Sequence, residues 1–286
     1  SGSGKGMTCL SIMRLVPKPA ARIVEGEILF NGEDLLGIQE SEMREYRGSK
    51  IAMVMQDPQT SMNPVFTVGN QVEEPIKLHL KERGAQAMQR VLDALSAVRI
   101  PSPEDRVKQS PHQFSGGMRQ RVMIAMALSC NPRLIIADEP TTALDVTIQA
   151  QILDLMKSLT TEFGVALIVI THNLGVVARY ADRVNIMYAG KVIERGNARE
   201  IYANPRHPYT VGLLRSVPRL DLPRRAKLDP LAGQPPDFIH LPGGCSFAPR
   251  CKWAVDKCRP ALPALLGAGA GHLSSSRPTE DLGASS

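Results

Sequence analysis

RLIIADEPTTALD, residues 133–145, decides how the rest of the chain is read. An unbroken apolar run followed at once by two acids is the pattern of a strand buried on both faces. Such a strand delivers carboxylates to the carboxyl end of a parallel sheet, where ligands bind in α/β folds. The first acid, Asp138, suits the orientation of a hydrated magnesium ion, and the second, Glu139, suits a water that has to lose a proton. A strand ending in an acidic turn would give the same letters in isolation, so the neighbouring segments have to decide.

Upstream, SGSGKGMT (residues 1–8) carries most of a phosphate-binding loop, G-x-x-x-x-G-K-[ST]. Backbone N–H groups of Ser1, Gly2, Ser3, Gly4, Lys5, Gly6, Met7 and Thr8 would cradle an anion at a helix N-terminus, with the Lys5 ammonium on the β- and γ-phosphates. Two pieces of the pattern are absent. Its first glycine would precede Ser1, which suggests a fragment or a misplaced start. Gly6 stands where a magnesium-binding hydroxyl belongs, while Thr8 remains as an α-phosphate contact. The expectation is weakened Mg-ATP binding. A glycine-lysine turn alone is a weak signal, but followed by the acids of residues 138–139 it points to nucleotide hydrolysis.

The chain has 286 residues, 43% hydrophobic and 4% aromatic, enough for one well-buried domain and an accessory piece. Its longest apolar runs, VALIVI and LIIA, fall far short of the roughly 20 residues of a spanning helix. No signal-peptide pattern is visible, so a cytosolic address is expected. The +6 formal charge lies in the tail, where residues 206–259 hold ten Lys or Arg against four Asp. With the basic residues scattered there and the first two hundred near neutral, nucleic acid is not an expected partner.

Segments 133–138 and 165–171 read as short buried strands, and 147–164 as a helix ending at a glycine. Their alternation predicts a parallel α/β sheet. Residues 81–100 read as an amphipathic helix, and 112–132 pass from a glycine turn into another, so a helical insertion over about 57–130 is expected. From about Asn204 the texture turns Pro-rich, Gly-rich and basic, with LAGQPP and LLGAGAGH as loops. The division expected is 1–203 and 204–286.

Three segments taken together, FSGGMRQR (114–121), ADEPTTALD (137–145) and VITH (169–172), resemble an ATP-binding cassette ATPase, a P-loop NTPase. The resemblance implies that Ser115, Gly116 and Gly117 cap a nucleotide held by a dimer partner. It makes Gln56 the residue linking the magnesium site to the helical insertion, Asp145 the acid of the following loop, and His172 the switch histidine, with Glu139 catalytic. QDPQTSMNPVFTVGNQVEEPI (56–76) and YANPRHPYTVGLLRSVP (202–218) narrow the resemblance to the ATPase subunits of oligopeptide and dipeptide importers, with nickel importers among their relatives. ATP and Mg2+ follow as ligands. So do two membrane permease subunits, a second ATPase subunit, an extracytoplasmic solute-binding protein acting indirectly, and a peripheral place on the cytoplasmic side of the membrane. A degenerate cassette serving as structural half of a dimer is the competing reading, suggested by Gly6. Asn173, where the family often has Asp, is a milder departure.

Cys245, Cys251 and Cys258 are spaced like a ligand cluster. Similar tails in the importer family carry a fourth cysteine after a Gly-His pair, and some hold an iron–sulfur cluster. Here that position is Ser276, a poor soft-metal ligand. A [4Fe–4S] cluster, a three-cysteine zinc or exchangeable site, and no metal at all stand as the alternatives. Cys9 and Cys130 read as buried thiols.

Overall fold

The apolar run at 134–138 becomes the middle strand of a parallel sheet in a computed structural model that describes residues 2–142, 144–216, 231–234, 236–269 and 271–276. The chain divides into two compact units, Gly6–Thr171, and Ser1–Lys5 with His172–Ser286. Ser1 lies outside the described residues.

The first unit follows α1 (Lys5–Ile12), whose first residue counts with the second unit, with β1 (Leu29–Phe30), β2 (Glu33–Asp34), α2 (Glu40–Tyr46) and β3 (Ile51–Val54). A helical stretch comes next: α3 (Pro58–Ser61), α4 (Val68–Pro75), α5 (Gly84–Ala97), α6 (Pro103–Arg106) and α7 (Gly116–Leu128). The chain then returns to the sheet with β4 (Leu134–Asp138), α8 (Val146–Glu162) and β5 (Ala166–Ile170). The strand order is β3-β4-β5, all parallel, with Ala137 opposite both Val54 and Val169, and Asp138 opposite Ile170. Parallel neighbours need long crossovers, and here the helical stretch joins β3 to β4 while α8 joins β4 to β5.

Ile135, Ile136 and Ala137 are buried whichever face they point to, which is why β4 reads as a continuous apolar run rather than an alternating one. One layer packs Ile135 and Ala137 with Val122, Ile124, Ile152, Leu155 and Leu159; the other packs Ile136 with Cys9, Met13, Leu35, Met43 and Ile170. α8 buries Ile152, Leu155, Met156 and Leu159, the spacing of a helical face, and ends ahead of Gly164 at φ +64°. The helices expected over 81–100 and 147–164, and both strands, are present. Burial pushes the Cys9 thiol up to about 12, as befits an inert core group.

The second unit contains α9 (Leu174–Tyr180), β6 (Arg183–Tyr188), β7 (Lys191–Asn197), α10 (Ala198–Ala203), α11 (Pro208–Arg215), β8 (Leu266–Gly269) and β9 (His272–Ser274). β6 and β7 form a hairpin through Ala189 and Gly190, both at positive φ as the tightest hairpin turn requires. Its sheet order, β6-β7-β9-β8, corrects the loop expected for LLGAGAGH, which supplies β8 and enters β9. Glycine-rich strands carry little propensity. This one is held through its partner strand, β9: His272 Nε2 lies 2.7 Å from Glu194 Oε1, both side chains fully buried. Glu194 also accepts the backbone N–H groups of Arg206 (2.6 Å) and His207 (3.0 Å), so one carboxylate ties β7, β9 and the approach to α11 together. A buried carboxylate is tolerable only when so many donors meet it.

The Tyr209 N–H donates to His207 Nδ1 at 3.1 Å, so that nitrogen must stay unprotonated, and burial pushes the His207 imidazole down to about 4. Unfolded, the group titrates near 6.5 and takes up protons first, so its contribution is intact above pH 6.5 and lost as pH falls toward 4. Urea unfolding of the intact chain should lose stability across that window, by up to about 3 kcal/mol from this group. The loss should shrink in His207→Asn, which keeps a cap acceptor without the titration.

Candidate functional site

Two loops and a helix start converge at the carboxyl end of the parallel sheet in the first unit. β4 ends at Asp138, and the next residue, Glu139, takes a left-handed backbone conformation (φ +45°) while its N–H donates to the Ile170 carbonyl at 3.0 Å. That conformation costs a non-glycine residue about 1–2 kcal/mol and turns the chain sharply out of the sheet. The Glu139 carboxylate is then held by two donors on one oxygen: Gln56 Nε2 at 3.2 Å from beyond β3, and Thr142 Oγ1 at 2.9 Å. Sequence reading singled out Gln56 and Glu139 separately and missed Thr142; a hydroxyl three residues after the acid, in the turn that follows the strand, was the available signal.

Gly6, in the first turn of α1, faces the same place. A Cβ built there would stand 3.4 Å from Asp138 Oδ2. The position that follows the lysine and the last acid of β4 are therefore neighbours, as two ligands of one cation must be, and Gly6 has no side chain to supply an oxygen. The Asp138 charge is near enough to help raise the Cys9 thiol. Met7 and Thr8 are exposed on α1.

Gly2 (φ +76°) and Gly4 (φ +92°) give the second unit's loop segment the backbone that a concave row of N–H groups needs. A Cβ on Gly4 would come within 3.2 Å of Gly190 Cα, and Gly190 N–H donates to the Ser3 carbonyl at 3.1 Å, so the loop rests on the β6–β7 turn. Lys5 Nζ donates to Ser3 Oγ at 3.0 Å. His172 follows two residues after β5, and Asn173 caps α9 by accepting the N–H groups of Gly175 and Val176. Capping suits Asn as well as Asp, which gives the departure at this position a structural sense.

Ser115, Gly116 and Gly117 group with the start of α8. Ser115 Oγ caps α7 by accepting the Met118 N–H at 3.3 Å, and Asp145 caps α8 by accepting the Ile148 N–H at 3.0 Å. A Cβ on Gly117 would lie 2.6 Å from Ile148 Cγ2, and one on Gly116 3.4 Å from Leu144 Cδ2. Small residues thus serve here to bring α7 against α8. Gln149 Nε2, another residue missed in the sequence, donates to the Thr141 and Leu144 carbonyls and fixes the turn ahead of Asp145. Gln56, Asp57, Gly116, Arg119 and Pro140 share one small cavity, so the capping turn and the glutamine loop adjoin.

Within the first unit, the start of α1 beside Asp138 could take an anion and a cation together, with no side-chain oxygen at Gly6. The tail does not fit an iron–sulfur cluster. Ser276 Oγ donates to the Arg206 carbonyl at 2.6 Å and shares a hydrogen bond with Ser274, so it is no stand-in for a fourth cysteine. Among the described residues no group of three or more His, Cys, Asp or Glu is placed to hold a metal ion.

Residues 1–142 match the ABC transporter family, and residues 193–258 match the oligopeptide/dipeptide transporter C-terminal region. The dipeptide transport ATP-binding protein DppD of Bacillus subtilis is 53% identical over 263 residues, 92% of this chain and 78% of that one. The oligopeptide transport ATP-binding protein OppD of Bacillus subtilis is also 53% identical, over 89% of this chain and 71% of that one. Among solved structures, the dimeric bacterial ABC transporter cassette MJ0796 is similar with a TM-score of 0.59 and 33% identity, covering 70% of this chain and 82% of that one.

Gly117→Ala should force α7 away from Ile148 and lower stability by about 1–3 kcal/mol, read as a drop of several degrees in Tm. Gly116→Ala should leave Tm unchanged or raise it.

Proposed function

The chain belongs to the ATP-binding cassette family of transporter ATPases, in its peptide-import branch, and from that premise we propose that it hydrolyses ATP to drive peptide import through membrane permease partners. The carrying observation is the Gln56–Glu139–Thr142 cluster next to Asp138, a base held at the end of β4 beside the place for a cation. We assign residues 1–203 to the ATPase domain, with the helical subdomain at about 57–130, and 204–286 to the importer-type extension. No described helix is long and apolar enough to cross a membrane, which suits a peripheral subunit. The partners in this reading are two permease subunits, a second ATPase subunit and, indirectly, an extracytoplasmic solute-binding protein. The place is the cytoplasmic face of the membrane.

Each residue then has a task. Backbone N–H groups of Gly2 to Thr8 and the Lys5 ammonium hold the phosphates by charge-assisted hydrogen bonds. Asp138 and Gln56 would hold the magnesium, which supplies charge neutralisation on the β- and γ-phosphates. Glu139 accepts the proton of the attacking water as its oxygen bonds to the γ-phosphorus and the bond to the β-phosphate oxygen breaks, leaving ADP and inorganic phosphate. Gln56 and Thr142 keep the Glu139 carboxylate aimed, a matter of positioning on which this class of chemistry depends. His172 stabilises charge on the γ-phosphate. Ser115, Gly116, Gly117 and Asp145 act on the nucleotide of a dimer partner, with the α7 N-terminus toward its γ-phosphate. ATP joins the two cassettes and hydrolysis frees them, and that alternation is what moves the permease.

In vesicles carrying this chain with its permeases and partner ATPase, peptide uptake should require ATP and fall to background in Glu139→Gln; uptake unaffected by that change would overturn the proposal. Gly6→Ser adds the absent hydroxyl beside Asp138 Oδ2. By titration calorimetry it should tighten ATP binding about ten-fold with magnesium and hardly at all with EDTA, the worth of one good interaction with a charged partner. Equal gains under both conditions would place the effect outside the cation site.

A further inference from the structure

Three half-buried free thiols, Cys245, Cys251 and Cys258, lie in the second unit and have no part in ATP chemistry. They are not equivalent. The backbone folds back so that the Cys245 N–H donates to the Cys258 carbonyl at 2.8 Å. A direct backbone hydrogen bond brings the two residues to about the ~4.4–6.8 Å Cα separation over which a disulfide closes. The approach is built in: a Cβ at Gly244 would collide with the carbonyl oxygens of both Cys258 and Arg259, so only glycine permits it. The segment between is folded rather than slack. Two short 3₁₀ turns, Ala248–Arg250 and Asp256–Cys258, hold it through Ala248 N–H to the Cys245 carbonyl (2.9 Å) and Cys258 N–H to the Val255 carbonyl (2.8 Å).

Cys251 has a different environment. It packs with Cys245 against the cluster of Tyr188, Ile193 and Phe247, and no backbone hydrogen bond joins it directly to either of the other two cysteines among the described residues. Burial pushes its thiol up, and the two neighbouring thiols add to the shift, so it forms thiolate less readily. Around the pair the sequence places Arg250, Lys252, Lys257 and Arg259 against the single acid Asp256, a local excess of positive charge that favours an anionic reagent. Ser276 Oγ is committed to the Arg206 carbonyl, so it adds nothing to the three sulfurs.

We propose that Cys245 and Cys258 form a reversible redox site that closes to a disulfide by exchange with an acidic low-molecular-weight disulfide of the glutathione type. One thiolate attacks a sulfur of the reagent, making a mixed disulfide and expelling one reagent thiolate; the second cysteine loses its proton and attacks the protein-bound sulfur, expelling the other. Two protein thiols are oxidised and one reagent disulfide becomes two thiols, so electrons and protons balance. The closed bond fastens residues 245–258 into a loop beside Tyr188 and Phe247, limiting how far that part of the unit can open.

The test uses the full chain, equilibrated with mixtures of reduced and oxidised glutathione, quenched in acid, alkylated and read by peptide mass spectrometry. The expected result is a cross-linked Cys245–Cys258 peptide that grows with the oxidised fraction, disappears with dithiothreitol and persists in Cys251→Ser. In Cys258→Ser, Cys245 should stop at the mixed disulfide with glutathione. The proposal is overturned if both thiols stay alkylable at every ratio or if Cys251 is the dominant partner. It is also overturned if the isolated protein carries zinc, or iron with sulfide, that shields all three thiols from alkylation. Wild-type protein alone distinguishes these outcomes, so they do not depend on how the variants fold.

Discussion

Everything at the end of the parallel sheet depends on β4 having nowhere else to go. It is hydrogen-bonded to β3 on one edge and β5 on the other, and its side chains are clamped by apolar layers on both faces. The two acids at its end therefore emerge at a fixed place and in a fixed order. Asp138 still belongs to the strand, opposite Ile170, while Glu139 has already turned into left-handed backbone. The strain at Glu139 is tolerable because its N–H is bound by the Ile170 carbonyl and its carboxylate by Gln56 and Thr142. In the catalytic role proposed for Glu139, a pre-aimed carboxylate would need no reorganisation at the moment of reaction.

The second unit solves a related problem by other means. It has little aliphatic core, and its sheet is completed by a glycine-rich strand with almost no side chains to bury. One buried carboxylate, Glu194, compensates by collecting His272 and two backbone N–H groups from separate parts of the chain. Such a centre is strong while complete and costly when any member is lost, because the remaining buried charge is left unpaired.

These two solutions differ in how visible they are in the sequence. The strand at 134–138 and the helices at 84–97 and 146–162 show in the letters because burial on both faces, or on one helical face, leaves a periodicity. Asp138 and Glu139 show as well, as acids closing an apolar run, while Gln56 and the Ser115–Gly117 turn show through the motifs that carry the resemblance. Thr142 and Gln149 were hard to read: a hydroxyl after the acid is a weak signal, an amide in a helix's first turn is ordinary, and only folding shows that they meet Glu139 or the Thr141 carbonyl. β8 and β9 were hidden for a stronger reason. Their place beside β7 is held by His272 and Glu194, 78 positions apart, and no local pattern carries that information. The cysteine spacing left metal and no metal both open, because spacing along the chain does not say where Ser276 or the thiols come to rest.

The most direct test of the account is phosphate release from Mg-ATP by the intact chain together with its partner ATPase, compared with the same pair carrying Glu139→Gln in this chain and with nucleotide binding measured in parallel. If Glu139 is the base held at the end of β4, the variant should bind ATP as well as the parent while the rate at this chain's site falls by about 10²-fold or more. Equal hydrolysis by both, or loss of binding and hydrolysis together, would contradict it, since the carboxylate would then be dispensable or merely structural.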